Sequence, residues 1–304
     1  MPDPVQPVQR DHPNHVNQAS RIYFLPNLMT AGNLFCGFIA IIKCIQARLI
    51  TDSGDYYKTY EFLSANTLYT QAVWFILIAV VFDMLDGRLA RMSGRSSLFG
   101  AEFDSLADVI SFGMAPALMV FFLILSPREN YQWFREFGWL IAFIYLLCGA
   151  VRLARFNVIT HPLLYRGEAE SSKDFVGLPI PAAAGTVASL VLLLLNLSAN
   201  DRELGQWALA LPFILVLVSF LMVSTVRYPS FKQVDFQMKA RLKYAVLLFI
   251  IGVVVWRWHE ISFFFLFLGY IIYGLFAHYQ RSVRHGQRRM LRNKVVKMRQ
   301  ESSE

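Results

Sequence analysis

Long apolar runs dominate this chain and are separated by short polar segments. Several runs reach the length, about 20 residues, that an α-helix needs to cross the hydrocarbon layer of a bilayer. The runs do not show the short alternating pattern of a membrane β-barrel. The pattern therefore predicts an all-α fold, a polytopic membrane helical bundle of about eight transmembrane helices. The predicted spans are roughly 28–47, 70–91, 102–125, 138–157, 178–197, 206–225, 241–257 and 261–279.

The chain before the first span has two parts. A polar tail covers 1–20, and an apolar, aromatic patch follows at 22–25, just before Pro26 and Asn27. Such a patch suits a short interfacial helix lying on the membrane. Asn27 is then expected to cap the first span, or alternatively to face a polar cavity. We treat 21–280 as one membrane domain and 281–304 as a basic tail.

Composition supports the membrane assignment. Of the 304 residues, 56% are hydrophobic, the mean hydropathy is +0.42, and only 16% are charged. Soluble domains carry about 25% charged residues. A soluble globule could not bury this much apolar surface, so the chain is predicted to be an integral membrane protein.

The net charge of +8 is concentrated at one end. The stretch 281–304 contains eight Lys or Arg and two Glu, so it contributes +6. Lys and Arg accumulate on the cytoplasmic side of membrane proteins, which predicts that both termini are cytoplasmic. The tail is also expected to attract anionic lipid headgroups. Nucleic acid is not expected as a partner, because no nucleic-acid-binding motif accompanies the basic run.

One polar pattern interrupts two neighbouring apolar runs. It reads D-x2-D-G-x2-A-R-x8-G-x3-D-x3-D and runs from 83 to 108. Carboxylates at or near bilayer depth are costly, and bound divalent cations are the simplest way to neutralise them. The members of the pattern are Asp83, Asp86, Gly87, Ala90, Arg91, Gly100, Asp104 and Asp108.

The spacing of the four carboxylates predicts where they lie. Asp83 and Asp86 share one helix face, and Asp104 and Asp108 share a face of the next helix. A tight polar turn at 92–99 would make these helices antiparallel and bring both pairs to the same depth. Two divalent cations would balance the four charges, and oxygen ligands favour Mg²⁺, Mn²⁺ or Ca²⁺ over zinc. Paired metals commonly support in-line displacement at phosphorus. A buried salt-bridge cluster or an ion path is the alternative.

The remaining motif residues fit a phosphate-bearing ligand. Gly87 has no side chain, so a ligand can approach the backbone beside the carboxylates closely. Ala90 keeps the same face shallow, and Arg91 can pair with a phosphate through its planar guanidinium. Gly100 opens the turn before Asp104.

The whole motif resembles the signature of the CDP-alcohol phosphatidyltransferases, integral membrane enzymes of lipid synthesis. The resemblance implies that Asp83, Asp86 and Asp104 coordinate two metals. It also implies that Asp108 contributes to the metal site and acts as the general base. Gly87 and Arg91 would lie along the CDP moiety, with Gly100 near the nucleotide.

Other stretches are similar to the phosphatidylserine synthase branch of that family. They are 25–28 with 32–37, 104–116, 149–157, 175–181 and 227–232. This likeness implies transfer of a phosphatidyl group from CDP-diacylglycerol to L-serine. It also implies a homodimer in the bilayer, and we expect a bacterial inner membrane with the active site facing the cytoplasm. The same chemistry with glycerol phosphate, inositol phosphate or choline is the nearest alternative, and a cation transporter is a further one.

Selection of the acceptor must come from outside the shared motif. Arg152 and Arg155 lie three apart at the cytoplasmic end of the fourth predicted span. Because arginine binds carboxylates bidentately, one or both are candidates to contact the carboxylate of serine. Alternatively, the two arginines only anchor the end of the helix, with their charged groups reaching towards the membrane surface.

Overall fold

The computed structural model describes residues 14–52, 64–92, 98–125, 132–160, 174–199, 210–229 and 257–301. Within these ranges the protein is almost entirely helical. The helices are α1 (Asn14–Asp52), α2 (Ala65–Met92), α3 (Leu98–Asp108), α4 (Ala115–Val120), α5 (Gln132–Thr160), α6 (Ile180–Ala199), α7 (Ala210–Val223) and α8 (His259–Glu301). A π-helical turn, Val109–Met114, joins α3 to α4 without a break. A second π-helical turn, Phe121–Leu125, continues the helix after α4.

Six stretches of helix are long and apolar enough to cross a membrane. They are Phe24–Thr51, Ala65–Ala90, Phe99–Leu125, Glu136–Ile159, Ile180–Leu197 and Ile261–Val283. Each coincides with a predicted span, so the all-α polytopic architecture is confirmed. The predicted span 206–225 corresponds to the shorter apolar helix α7. The predicted span 241–257 lies outside the described residues, and the count of eight stays a prediction.

The expected helix boundary at Pro26 and Asn27 is wrong. α1 runs without a break from Asn14 to Asp52 and contains Pro26, so Asn27 lies inside the helix and does not cap it. The expectation had rested on the apolar patch at 22–25 and on the capping preference of asparagine. Membrane helices nevertheless tolerate proline, because neighbouring side chains satisfy the freed backbone groups. The single proton of the Thr30 hydroxyl lies within reach of both the Pro26 carbonyl oxygen, at 3.2 Å, and Asp86 Oδ2, at 3.1 Å.

Small residues line the contact between α1 and α2. Cys36, Ala40, Cys44 and Ala47 recur every three or four residues and are buried, so they form one stripe along α1. Small side chains let membrane helices approach closely, where dispersion and packing hold them together. The other principal pairs are α5 with α7 and α6 with α8.

Large apolar side chains point outward from this bundle. On α1 they include Phe35, Phe38 and Leu49, and on α8 they include Phe265 and Phe276. Such a surface is unfavourable in water but suits contact with hydrocarbon. The polar side chains Thr30, Asn33, Asp86, Asp108, Ser111 and Arg152 are buried inside the bundle. The protein is therefore apolar outside and carries a polar centre.

A short antiparallel ribbon closes one end of the bundle. β1 (Asp174–Val176) pairs with β2 (Arg227–Pro229), with Phe175 opposite Tyr228. Gly177 follows β1 with φ +83°, a conformation that favours glycine, and its amide donates to the Val226 carbonyl oxygen at 2.8 Å. The Arg227 amide donates to His278 Nδ1 at 3.3 Å. The ribbon therefore lies against the middle of α8.

Candidate metal and active centre

Three carboxylates of the motif meet between α2 and α3. Asp83, Asp104 and Asp108 each place one oxygen within 4.8 Å of the others. Asp104 Oδ1 is buried and has no hydrogen-bond partner in the described part of the chain. Like charges this close repel each other, and a bound cation would satisfy both the charge and the free oxygen. The donor set, all carboxylate oxygen, fits a hard divalent cation.

The fourth carboxylate, Asp86, is held separately. It is only 4% exposed, and the Thr30 hydroxyl of α1 donates to its Oδ2 at 3.1 Å. The side chain therefore points into the bundle, where α1 fixes its orientation. The spacing argument predicted that Asp83 and Asp86 share one helix face and that both pairs meet. The close cluster contains Asp83 but not Asp86, which takes a partner from α1.

Asp108 is fixed by a short chain of polar contacts. Asn33 Nδ2 of α1 donates to Asp108 Oδ1 at 3.1 Å, and the Ser111 hydroxyl donates to the Asn33 carbonyl oxygen at 2.9 Å. Ser111 lies in the π turn that directly follows Asp108, and such turns often occur at functional sites. A Cβ at Gly37 would collide with Ser111. Glycine at this position therefore allows α1 to approach Asp108 closely.

We expect Asn33→Leu to weaken metal binding and slow turnover, each on the order of tenfold. The substitution keeps a similar side-chain volume but removes the donor that orients Asp108. Mn²⁺ affinity measured by electron paramagnetic resonance gives a readout that does not depend on turnover. Asn196→Leu, on the exposed part of α6, is the matched control. Unchanged Mn²⁺ affinity and kcat in a folded Asn33→Leu protein would contradict this role.

The two candidate arginines have different environments. Arg152 is 9% exposed and lies close enough to Asp108 and Asp83 to interact with their charges. Its Nε has no hydrogen-bond partner among the described residues. Arg155 instead donates from Nη1 to the Val223 carbonyl oxygen at 3.3 Å and from Nη2 to the Val176 carbonyl oxygen at 3.2 Å. Arg152 thus faces the acidic centre, whereas Arg155 joins α7 to β1.

A polar contact ties the end of α5 to α3. Asn157 Nδ2 donates to the Ser105 hydroxyl at 2.9 Å and to Glu102 Oε2 at 3.3 Å. Ser105 follows Asp104 directly, and Asn157 lies just over one turn beyond Arg152. This contact therefore fixes the distance between the helix that carries Asp104 and the helix that carries Arg152.

The motif residues expected to contact CDP lie at the same end of α2 and α3. Gly87, Ala90 and Gly100 are half-buried. Arg91 belongs to α2, but its side chain lies outside the described side chains. The predicted polar turn is also largely outside the described residues. The assignment of these positions to CDP stays a prediction.

Sequence reasoning missed the residues of α1 as partners of the carboxylates. Neither Thr30 nor Asn33 is among the site residues that the sequence predicts. A signal was present, since Asn33 interrupts an otherwise apolar run. A polar side chain within a membrane helix usually faces the bundle interior and indicates function.

Comparison with known proteins identifies the family to which the chain is similar. Residues 23–218 match the family model described as CDP-alcohol phosphatidyltransferase. The chain is 37% identical to the CDP-diacylglycerol–serine O-phosphatidyltransferase of Helicobacter pylori over 84% of this chain and 90% of that protein. It is 29% identical to the Bacillus subtilis protein of the same name, over 69% of this chain and 92% of that protein. It is 34% identical to the archaetidylserine synthase of Methanothermobacter thermautotrophicus, over 67% of this chain and 69% of that protein.

The chain belongs to the CDP-alcohol phosphatidyltransferase family. The match to the family model covers the acidic motif, the polar positions of α1 and Arg152. It ends before β2 and α8, which lie beyond residue 218. The acidic cluster can hold a metal ion, and membership confirms that the chain is a transferase of phospholipid synthesis.

Proposed function

We propose that this protein transfers the phosphatidyl group of CDP-diacylglycerol to the hydroxyl of L-serine, giving phosphatidylserine and CMP. The names of its relatives support serine as the acceptor. The observation that carries the proposal is the carboxylate cluster of the family motif, together with the buried guanidinium of Arg152, which interacts with the charges of Asp108 and Asp83. A buried guanidinium next to the reacting centre suits an acceptor that carries a carboxylate.

Four carboxylates would hold two divalent cations, Mg²⁺ or Mn²⁺ in preference to Ca²⁺. Asp83, Asp104 and Asp108 form the close cluster, and Asp86 would complete the set from the position that Thr30 fixes. When bound, the cations offset the negative charge of the pyrophosphate and of the departing CMP. Arg152 supplies a positive charge near the same centre.

Asp108 is the proposed general base. One of its oxygens accepts the hydrogen bond from Asn33 Nδ2, so that oxygen is kept as an acceptor. In a single in-line step, the serine oxygen forms a bond to the lipid-side phosphorus and the bond from that phosphorus to the CMP oxygen breaks. Asp108 takes the proton of the serine hydroxyl. No covalent intermediate on the protein is required.

Gly87, Ala90, Arg91 and Gly100 are proposed to line the CDP moiety. The acyl chains would enter sideways from the bilayer, since the outer surface of the helices is apolar. We place the active site and both termini on the cytoplasmic side of a bacterial inner membrane. The reason is that Lys and Arg are concentrated in the C-terminal stretch 281–304, and such residues accumulate on the cytoplasmic side. A homodimer stays part of the proposal on the strength of the family resemblance.

A CMP-release assay with the purified protein tests this function. CDP-diacylglycerol in mixed micelles is supplied with serine, glycerol 3-phosphate, inositol phosphate, choline or no acceptor, each with Mn²⁺ or with excess EDTA. We expect CMP release to require both serine and the metal, and to fall about a hundredfold or more with the other alcohols. Faster release with another alcohol would overturn serine as acceptor. The absence of release with every acceptor would favour the cation-transport alternative.

A further inference from the structure

The helix that carries Asp108 changes its geometry directly after that residue. Val109–Met114 forms a π turn, and the Ala115 amide donates to the Ile110 carbonyl oxygen, five residues earlier. Such turns are rare and often occur at functional sites. Because a π turn is wider than an α-helical turn, it changes the direction of the side chains before it relative to those after it. The aim of the Asp108 carboxylate therefore depends on this turn.

Pro116 accounts for the wider turn. Proline has no amide proton, and in a regular α-helix its ring would crowd the carbonyl oxygen of the residue four positions earlier, which is Phe112. A local π turn relieves this crowding, and neighbouring side chains can satisfy the freed backbone groups. The Phe112 carbonyl oxygen cannot receive an amide proton from residue 116, and the Tyr145 hydroxyl of α5 donates to it at 3.0 Å.

Side chains from two helices fix this π turn. On one side the Ser111 hydroxyl donates to the Asn33 carbonyl oxygen of α1 at 2.9 Å, and the Asn33 side chain donates to Asp108 at 3.1 Å. On the other side the fully buried Tyr145 holds the Phe112 carbonyl oxygen. Ser111 and Phe112 are also fully buried, so bulk water cannot replace either hydrogen bond. The turn, and with it the backbone of Asp108, is therefore fixed between α1 and α5.

We propose that Tyr145 is a positioning residue for the reaction, whose hydroxyl holds the π turn in the register that aims Asp108 at the metal and at the acceptor hydroxyl. The proposal rests on the proposed function, because it takes Asp108 as a metal ligand and as the base. It adds a residue of α5 that lies outside the acidic motif and acts only through Asp108. A small displacement of a catalytic group is enough to slow a reaction strongly.

The test is Tyr145→Phe, which removes the hydroxyl and keeps the ring. We expect kcat at saturating Mn²⁺ to fall about tenfold, and the Kd for Mn²⁺, measured by electron paramagnetic resonance, to rise about tenfold. The KM values for serine and CDP-diacylglycerol are expected to stay within about twofold, because the substrate contacts are kept. Tyr228→Phe is the matched control, since Tyr228 is equally buried and its hydroxyl has no hydrogen-bond partner among the described residues. It is expected to keep the kcat and the Mn²⁺ affinity of the unaltered protein.

A double-mutant cycle distinguishes the positioning of Asp108 from a general loosening of the bundle. In a protein that already carries Asp108→Asn, Tyr145→Phe is expected to change the Kd for Mn²⁺ less than about twofold. Asp83 and Asp104 still form the rest of the cluster in that protein, so a general loosening would weaken Mn²⁺ binding by the same factor in both backgrounds. Additive effects in the double variant, or unchanged kcat and Mn²⁺ affinity in a folded Tyr145→Phe protein, would overturn the proposal.

Ser111→Ala decides the question if Tyr145→Phe does not fold. It removes the hydrogen bond that holds the same turn from the side of α1. We expect it to lower kcat and Mn²⁺ affinity and to leave both KM values within about twofold. If a folded Ser111→Ala protein keeps its kcat and its Mn²⁺ affinity, the π turn does not position Asp108.

Mn²⁺ affinity does not depend on the acceptor, so the two proposals fail in different ways. If the unaltered protein does not release CMP with serine, the proposed function is wrong. Weaker Mn²⁺ binding by Tyr145→Phe that disappears in the Asp108→Asn background would then still support the positioning role. If the protein uses serine and Tyr145→Phe leaves kcat and Mn²⁺ affinity unchanged, only the role of Tyr145 is wrong.

Discussion

Asp108→Asn is expected to lower kcat for CMP release about a thousandfold. The amide has almost the same shape as the carboxylate, and its oxygen still accepts the hydrogen bond from Asn33 Nδ2. It cannot take the proton of the serine hydroxyl, and it is a weaker metal ligand. Because Asp108 is only 6% exposed, water has little access to replace it as the proton acceptor. The measurement is kcat at saturating serine and CDP-diacylglycerol.

Comparison with Asp83→Asn separates the base from the ligands. Asp83 shares the carboxylate cluster but is not proposed as the proton acceptor. Its loss is expected to weaken metal binding, so a higher Mn²⁺ concentration restores part of the rate. The same Mn²⁺ concentration is not expected to rescue Asp108→Asn. Glu136→Gln, at an exposed carboxylate of α5, controls for a general change in charge. Full recovery of Asp108→Asn by metal would contradict its role as the base.

The local spacing of the motif predicted much of the centre correctly. Residues four apart on a helix lie on one face, and Asp104 and Asp108 do lie together in the structure, with Asp83 close to them. The prediction that both pairs come together holds for three of the four carboxylates, because Asp86 is not part of the close cluster. The short connection between α2 and α3 predicted that carboxylates of the two helices would meet, and Asp83 does meet Asp104 and Asp108. These inferences depend only on near neighbours in the sequence, where helical geometry leaves few alternatives.

Partners from distant parts of the chain were not predictable in the same way. Thr30 and Asn33 reach carboxylates that lie 56 and 75 residues further along the chain. Their contacts depend on how α1 packs, and that packing depends on Gly37 meeting Ser111. A single sequence shows that these polar residues are unusual within an apolar run, but it does not show which carboxylate each one contacts.

The first helix shows how a local rule was overridden. Asparagine is a preferred helix N-cap, so a first span beginning at Asn27 was a reasonable prediction. In the structure α1 continues through it, and Thr30 contacts both the Pro26 carbonyl oxygen and Asp86. The continuous helix places Thr30 and Asn33 one turn apart on the face that meets α2 and α3. Thr30 thus lies both beside the proline of α1 and against Asp86 of the candidate site.

The sequence alone left Arg152 and Arg155 equivalent, because they lie three apart at the same helix end. Their partners differ: Arg155 donates to the Val223 and Val176 carbonyl oxygens, whereas Arg152 lies beside Asp108 and Asp83. We therefore propose Arg152, rather than Arg155, as the contact for the acceptor carboxylate. This difference gives opposite expectations for two similar substitutions.

Arg152→Ala is expected to raise the KM for serine about a hundredfold, because a bidentate, charge-assisted contact with the carboxylate is lost. Arg155→Ala is expected to change the serine KM less than about threefold and to lower the Tm in detergent, since it leaves two carbonyl oxygens without their donor. Both variants are measured for serine KM, Tm and Mn²⁺ affinity.

Mn²⁺ affinity decides whether a change at Arg152 acts on the acceptor or on the metal. Removing a cation beside Asp108 and Asp83 leaves more negative charge at the centre, so Mn²⁺ is expected to bind as tightly as before or more tightly. A weaker serine interaction together with undiminished metal binding can then be explained only at the acceptor. If Arg155→Ala raised the serine KM as much as Arg152→Ala, or if Arg152→Ala weakened Mn²⁺ binding instead, Arg152 would not be the residue that recognises the acceptor.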